Sequence, residues 1–340
     1  MNKIDVTVVV CTYNRANFLL GILDSLFKQE TKGELNFEIV VINNASTDET
    51  EEVLQQLAND ATVPMRTFIE SSQGVVFARN RGIAEASGDY IYFIDDDETA
   101  APNCVLNMYR FLETRQIRVG GGAVRVRLPD SCPADQRELY ESILSPLEES
   151  EQAFRYQSRS APGAGNLMLH RTVFDEVGLF DENLVEAAED TELFNRIDQA
   201  GIEAWFCPDA TVLHLMDDYR VSIPYVRWLS IRHGWNRARE DYRGRGNAYV
   251  IVNCLARLAH MSVVAIPKWL ITKISGRSAA STMAMCRVWR TTAYTRNTLR
   301  QLAPTVFPQE KFFQQLDFRG EREMFGTVNY QTSSKDITTV

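Results

Sequence analysis

Apolar strands alternate with amphipathic helices through the first hundred residues, and this alternation narrows the possible folds most. Val6 to Cys11 is a near-continuous apolar run. From Ala16 to Gln29, Leu19, Leu20, Leu23, Leu26 and Phe27 recur at helical spacing. Phe37 to Ile42 reads as a second strand, and Asp48 to Asn59 as a helix capped by Ser46 or Thr47 with acidic residues in its first turn. Met65 to Ile69 is a third strand, Val75 to Ala86 a helix, and Tyr90 to Ile94 a fourth strand. Such βαβ units require a largely parallel sheet, so the expected class is α/β with a Rossmann-like, mostly parallel central sheet. Ligands of such sheets bind beyond the carboxyl ends of the strands. Those ends are Cys11-Thr12-Tyr13-Asn14-Arg15, Asn43-Asn44-Ala45-Ser46-Thr47-Asp48 and Asp95-Asp96-Asp97, so three polar clusters belong on one edge.

The triplet Asp95-Asp96-Asp97 is the strongest chemical signal. Three adjacent carboxylates at a strand tip repel one another unless a cation neutralises them. Hard divalent cations take oxygen ligands and are commonly shared between carboxylates and substrate phosphates. A solvated acidic turn has the same composition.

The second half is mixed. Val119 to Leu128 reads as a strand entered through three glycines, and residues 129–160 as polar and irregular with a weak helical signal. Gly163 to Leu169 suits a strand, Arg171 to Val177 a short helix, and Asp190 to Ala200 a helix opened by acidic residues. Ala204 to Phe206 and Thr211 to Leu215 read as two more strands, and the pattern is helical and basic from Ile223. Beyond Gly320 apolar periodicity is weak, which predicts a mobile tail.

At 340 residues, 45% hydrophobic and 24% charged, the composition is that of a globular protein of one large or two modest domains. There is no internal repeat. Met1 to Asp5 leads directly into the first strand, with no basic and apolar leader. The six cysteines have no CxxC pairing, which fits reduced thiols in the cytosol rather than a disulfide frame or a zinc site. Charge is unevenly placed. Arg220 to Arg300 holds 15 basic residues against Glu240 and Asp241, a net of +13, and the whole-chain net of −9 then leaves −22 for the remainder. An acidic body carrying a basic, surface-seeking segment is the expected organisation.

In order and spacing these motifs resemble the family 2 glycosyltransferases of the GT-A fold, over roughly residues 4 to 216. Val8 to Arg15 looks like the opening strand and nucleotide loop, and Asn43 to Asp48 like the second nucleotide loop. Gly74 with Ala78-Arg79-Asn80-Arg81-Gly82 is similar to the helix beside the diphosphate. Asp95-Asp96-Asp97 resembles the DxD metal motif and Glu189-Asp190 the ED motif that supplies the base. The run from Ala78 to Glu98 is most like bacterial exopolysaccharide enzymes of the succinoglycan type.

The resemblance implies a nucleoside-diphosphate sugar donor, Mn2+ or Mg2+, and inversion with Asp190 as general base. Acidic residues also favour helix N-termini, so Asp190 and Glu189 have a capping reading too, and Glu189 alternatively orients the site. Asp97 is the expected metal ligand, Asp95 acts through ribose or water, and Asp96 is open. His214 is a second metal or diphosphate contact under the resemblance; a histidine after an apolar run is equally a packed or capping residue. Thr12, Tyr13 and Arg15 offer a backbone contact, a stacking face and a cation to the nucleotide. Arg79 faces nucleotide or diphosphate, or is solvated. Asn43 and Asn44 stand where many relatives carry aspartate; an amide can still read a pyrimidine edge, but the departure leaves uridine, thymidine and guanosine open, and a UDP-linked donor is the expectation. Gly165 and Asn166 let backbone approach the sugar or acceptor, or simply form a tight turn, and Trp205 and Trp235 either stack on sugars or pack.

Tyr249 to Ile274 is apolar but interrupted by Arg257, His260, Pro267 and Lys268, which suits an interfacial helix better than a spanning one. Its basic surroundings suit an anionic membrane surface or a polyprenyl-diphosphate-linked saccharide acceptor, and no nucleic-acid motif is present. A helical subdomain with charged outer faces has the same pattern. The expected layout is a catalytic domain over 1–220, a basic helical region over 221–302 and a tail over 303–340. The expected location is cytoplasmic, peripheral at the inner face of the cell membrane. A sugar-phosphate nucleotidyltransferase is the first rival, but it needs a Gly-rich triphosphate loop where Thr12-Tyr13-Asn14-Arg15 stands. A non-catalytic saccharide- or membrane-binding scaffold is the second, and intact Asp97 and Asp190 argue against it.

Overall fold

The computed structural model describes residues 3–145, 150–157, 161–184 and 189–307. The expected tail beyond Gly320 lies outside them. The chain forms two compact units. The first runs through Arg127 and resumes at Ser145–Leu215; the second takes Leu128–Leu144 and the chain from Met216.

The first unit is built on one eight-stranded sheet. Its strands are β1 (Val6–Thr12), β2 (Phe37–Asn43), β3 (Met65–Ile69), β4 (Tyr90–Ile94), β5 (Glu98–Ala100), β6 (Val119–Arg127), β7 (Asn166–His170) and β8 (Ala204–Leu215), in the order β3-β2-β1-β4-β7-β6-β8-β5. β3, β2, β1 and β4 are mutually parallel. β7 then runs antiparallel to both β4 and β6, β8 parallel to β6, and β5 antiparallel to β8. The parallel half is the Rossmann-like part. β1, β2 and β4 read as continuous apolar runs because helices cover both faces. Leu19, Ile22, Leu23 and Leu26 of α1 (Ala16–Phe27) and Leu54 of α2 (Thr50–Asn59) pack on one face with Met108 and Leu112 of α4 (Cys104–Arg115). α3 (Val75–Glu85), α6 (Thr172–Val177) and α7 (Glu189–Gln199) contribute Val76, Val173, Phe174, Leu193 and Phe194 to the other.

Three elements differ from expectation. Ala204–Leu215 is one strand rather than two, because a bulge opposite Gly122 and Ala123 carries it past Pro208 without ending it. α2 starts at Thr50 and not at Asp48; Asp48 instead stands before the helix and accepts the Thr50 N–H through Oδ1 at 3.1 Å. Residues 129–160, expected to be irregular, contain α5 (Arg137–Leu144), whose buried Leu139, Tyr140 and Ile143 belong to the second unit.

The second unit is otherwise helical: α8 (Ile223–His260), a π-helical turn at Met261–Ala265, α9 (Ile266–Ile274) and α10 (Ser278–Leu302). Gly246, at φ 75° and ψ 178°, breaks α8. That φ favours glycine, and the break folds the second half back on the first. Asn253 Nδ2 then donates to Asp241 Oδ2 and to Tyr294 Oη, each at 3.0 Å, and the Tyr294 hydroxyl donates to Asp241 Oδ2 at 3.0 Å.

Candidate active site

The site is assembled at the carboxyl ends of β1, β2 and β4. After Thr12, which is buried, the chain turns through Asn14 at φ 49°, a left-handed conformation that asparagine tolerates. Asn14 Oδ1 accepts the Thr47 N–H at 2.7 Å, and the Asn14 N–H donates to Ser46 Oγ at 3.0 Å. The loops after β1 and β2 are thereby tied together. Sequence reading passed over Asn14; its readiness to adopt positive φ was the available signal.

Asn44 is buried, and its amide is committed to the fold. Nδ2 donates to the carbonyls of Glu70 and Ser72 at 3.2 and 2.6 Å, and Oδ1 accepts the Gly74 N–H at 2.8 Å. Both donors are used, so Asn44 shapes the approach to α3 rather than reading a base edge. Gly74 has φ 141°, which a side chain would strain. Tyr13 keeps an exposed ring face, its hydroxyl accepting from Gln73 Nε2 at 3.3 Å. A base can stack there.

Arg15, expected to offer a cation to the nucleotide, is paired with the acidic triplet. Its Nη1 lies 2.8 Å from Asp96 Oδ1 and 2.6 Å from Asp97 Oδ2, and its guanidinium sits over the Phe18 ring at 5.3 Å. The acidic triplet therefore carries a protein cation. Asp96 and Asp97 are buried, whereas the Asp95 side chain is 45% exposed. Burial pushes the Asp96 carboxyl up to about 6, with Arg15 pulling it down and Asp97 pushing it up. Burial also raises the Glu98 carboxyl well above the usual range, and Asp95 and Asp97 add to the effect. Glu98 Oε2 accepts the Asp95 N–H at 3.2 Å, so it shapes the triplet from behind.

Backbone pairing brings His214 to the triplet. β5 follows the triplet directly and pairs with β8 so that Glu98 faces His214. The Leu215 N–H donates to the Asp97 carbonyl at 2.9 Å, and His214 Nε2 comes to 3.3 Å from Asp97 Oδ2. The two residues expected to hold a metal are thus neighbours. Among the described residues, no three His, Cys, Asp or Glu side chains are grouped to hold a metal by themselves.

A second carboxylate pair stands on the same edge. Arg79 is buried on α3, with Nη1 2.8 Å from Glu189 Oε1, Nη2 3.5 Å from Asp95 Oδ1, and the Phe180 ring 5.5 Å away. Asp190, next to Glu189 at the start of α7, accepts the Thr191 N–H through Oδ1 at 2.7 Å. Burial raises the Asp190 carboxyl, and the Glu189 charge raises it further. A carboxylate held up in this way is a better proton acceptor than one in water.

Gly165 and Asn166 part company. A Cβ on Gly165 would lie 2.8 Å from Glu98 Oε1 and 2.9 Å from Asp95 Oδ2, so only glycine lets this backbone touch the acidic cluster. Asn166, expected in the acceptor region, is turned into the sheet. Its Nδ2 donates to the carbonyls of Ala123 and Ala210 at 3.0 and 2.9 Å, and its Oδ1 accepts the Tyr92 hydroxyl at 2.5 Å. It braces β7 against β4, β6 and β8, with its amide committed to these buried partners.

Comparison with known proteins places this arrangement. The family model Glycosyl transferase family 2 matches residues 7–178. An uncharacterized glycosyltransferase of Rickettsia bellii is 32% identical over 108 residues, 32% of this chain and 15% of that protein. The glycosyltransferase AglE of Haloferax volcanii is 26% identical over 211 residues, 62% of this chain and 66% of that one. The chain thus spans less than two thirds of the length of these relatives. Among solved structures, the mannosyltransferase PcManGT from Pyrobaculum calidifontis, in complex with GDP-Man and Mn2+, superposes with a TM-score of 0.57 at 17% identity, over 87% of this chain and 88% of that one. S. aureus TarS superposes at 0.51 and 14% identity, over 87% of this chain and 55% of that one. With half its length under the family model and a shared architecture over most of the rest, the chain belongs to glycosyl transferase family 2 and has the GT-A fold.

Proposed function

We propose that this chain moves a hexosyl group from a nucleoside-diphosphate sugar, UDP-linked, to a hydroxyl of a saccharide acceptor, with inversion at the anomeric carbon. One observation carries the reading: the Asp97–His214 pair and the Arg79-anchored Glu189–Asp190 pair stand on the same sheet edge, joined through Asp95. Asp190 takes the acceptor O–H proton while the acceptor oxygen bonds to C1 and the bond from C1 to the diphosphate oxygen breaks. The electron pair leaves with the nucleoside diphosphate. A single displacement inverts the centre, and no second carboxylate is needed as a covalent nucleophile. Glu189 is occupied by Arg79 at 2.8 Å, which leaves the proton to Asp190. Arg79 fixes the helix start that carries both acids, and the exposed Tyr13 ring offers the base a stacking surface.

Asp97 and His214 suit a divalent cation. They offer one carboxylate oxygen and one imidazole nitrogen, a set better matched to Mn2+ than to Mg2+, and the donor phosphates add oxygens. Bound there, the cation would stabilise charge on the departing diphosphate as a Lewis acid. Arg15 bridges Asp96 and Asp97 through one guanidinium nitrogen and opposes the upward push of burial on the Asp96 carboxyl. The Mn2+ and GDP-Man bound to PcManGT and the name of TarS, a poly(ribitol-phosphate) β-N-acetylglucosaminyltransferase 30% identical over 92 residues, support a nucleotide-sugar donor. The acceptor in this reading is a polyprenyl-diphosphate-linked saccharide at the inner membrane face, in polysaccharide assembly. Its support is the basic, apolar second unit.

Thermal stabilisation by UDP-, dTDP- and GDP-sugars with Mn2+ or Mg2+ tests the donor. A UDP-sugar with Mn2+ should give the largest shift. Stabilisation by a GDP-sugar alone would overturn the uridine assignment, and none by any nucleotide sugar would overturn the reading.

A further inference from the structure

The second unit leaves one helical face uncovered. Ile251, Val252 and Leu255 in the second half of α8, Val263 in the π-helical turn, and Ile271 and Ile274 in α9 are each between 43% and 85% exposed. Six large aliphatic side chains in 24 residues exceed the scattered apolar exposure of ordinary surfaces. The opposite face is different. Val250, Cys254 and Ala265 are buried, Asn253 is bonded to Asp241 and Tyr294, and the Arg257 guanidinium lies 4.3 Å from the centre of the Tyr294 ring. Of the residues that interrupt the apolar run in sequence, Arg257 is therefore turned inward, while His260 and Lys268 are exposed. The outer face is apolar, and the inner face is packed and carries the polar Asn253 and Arg257, which is the pattern of a helix lying in an interface.

Charge identifies what this face meets. From Tyr242 to Phe307 the chain has ten Lys and Arg residues and neither Asp nor Glu. Arg243, Arg245, Lys268, Lys273 and Arg277 are exposed around the apolar face. Lys273 lies along the Trp269 ring, its Nζ 4.9 Å from the ring centre, so an apolar stem and a charged tip share one surface. A second copy of this chain would bring the same single-signed fringe against itself, and like charges across an interface are repulsive. An anionic bilayer matches both parts, acyl chains for the aliphatic side chains and headgroups for the fringe.

We propose that this face of the second unit docks reversibly on an anionic lipid bilayer, by shallow insertion of the aliphatic residues and attraction of the basic fringe. The inference goes beyond the proposed reaction and is measured without donor or acceptor, so either can fail alone. By length and composition alone, Ile223–Ile274 could also cross a membrane. The inward-turned Asn253 and Arg257 and the exposed Lys268 and Lys273 argue for the interface instead.

Co-sedimentation of the full chain with vesicles of phosphatidylcholine, alone or with phosphatidylglycerol, tests it. Binding should be many-fold stronger to the anionic vesicles and fall between low and high salt. Arg243→Glu with Arg245→Glu should weaken it by at least roughly fivefold per residue, since each basic side chain near such a surface counts for about that factor. Val252→Glu with Leu255→Glu and Ile271→Glu should abolish it. All substitutions are at exposed positions, and unchanged helical circular dichroism and melting temperature confirm that the variants are folded. Equal binding to both vesicle types, no binding, or unaltered binding by either variant set would overturn the proposal. Retention on membranes through alkaline carbonate would mean that the segment spans. A dimer that the aliphatic substitutions convert to monomer without change in vesicle binding would assign the face to a second copy.

Discussion

Two carboxylates as close and as buried as those of Asp96 and Asp97 need a cation beside them, and Arg15 supplies it from 2.8 and 2.6 Å. The repulsion within an acidic triplet is therefore not by itself proof of a metal; the contact between Asp97 and His214 is the more specific sign. Removing one partner of a buried ion pair costs about 3–5 kcal/mol, because the other charge is stranded. Arg15→Gln should lower thermal stability by about that amount, and Arg15→Lys by distinctly less, since a cation remains; equal losses in the two variants would show that shape and not charge is at stake. Asp190 makes the second residue-scale prediction. Asp190→Asn should abolish transfer while calorimetry still shows donor binding. Because the base must be ionised, activity falls as pH drops through its pKa, and the raised carboxyl places that acid limb above the ordinary aspartate value of 3.8. A limb at or below the ordinary value, in kcat/KM against pH, would remove Asp190 from the role.

Among the elements, β5 does most to assemble the site with least to announce it. Three residues, Glu98 to Ala100, are too few to show a period, yet their pairing with β8 sets His214 beside Asp97. The parallel strands and α1 to α3 were legible because apolar runs and helical spacing persist over five residues or more. α4 was legible too, from Cys104, Met108, Phe111 and Leu112, although it went unread. Side-chain amides were not. Asn14, Asn44 and Asn166 are alike in sequence, and only the position of the surrounding carbonyls and N–H groups decides which of them points at solvent. Asn166→Ala should therefore act on stability. It removes the side-chain donor from the buried Ala123 and Ala210 carbonyls and leaves the Tyr92 hydroxyl only Cys104 Sγ, at a cost of about 1–3 kcal/mol for a group left unsatisfied. A lowered melting temperature is expected; an altered acceptor KM with unchanged melting would return Asn166 to the acceptor region.

For the molecule as a whole, the net charge of −9 conceals two opposite populations, and the acidic one includes Asp95, Asp96, Asp97, Glu189 and Asp190. The division into two units follows contacts that composition does not mark. Leu128–Leu144 belongs with the helices from Met216 onward, though the 71 residues 145–215 separate them in sequence. Such pairing is invisible to any local period. The candidate site lies in the first unit, and there Asp97 contacts both Arg15 and His214 and is the proposed metal ligand. The most direct measurement is the rate of nucleoside-diphosphate release from the stabilising donor, for wild type and Asp97→Asn, with Mn2+ and with excess chelator. Loss of one preorganised electrostatic contact at a developing charge lowers a rate by about 100- to 1,000-fold. The predicted result is a fall of that size in Asp97→Asn and in chelator-treated wild type, with the melting temperature of the variant close to that of wild type. Full turnover in either would contradict metal-assisted glycosyl transfer at this site.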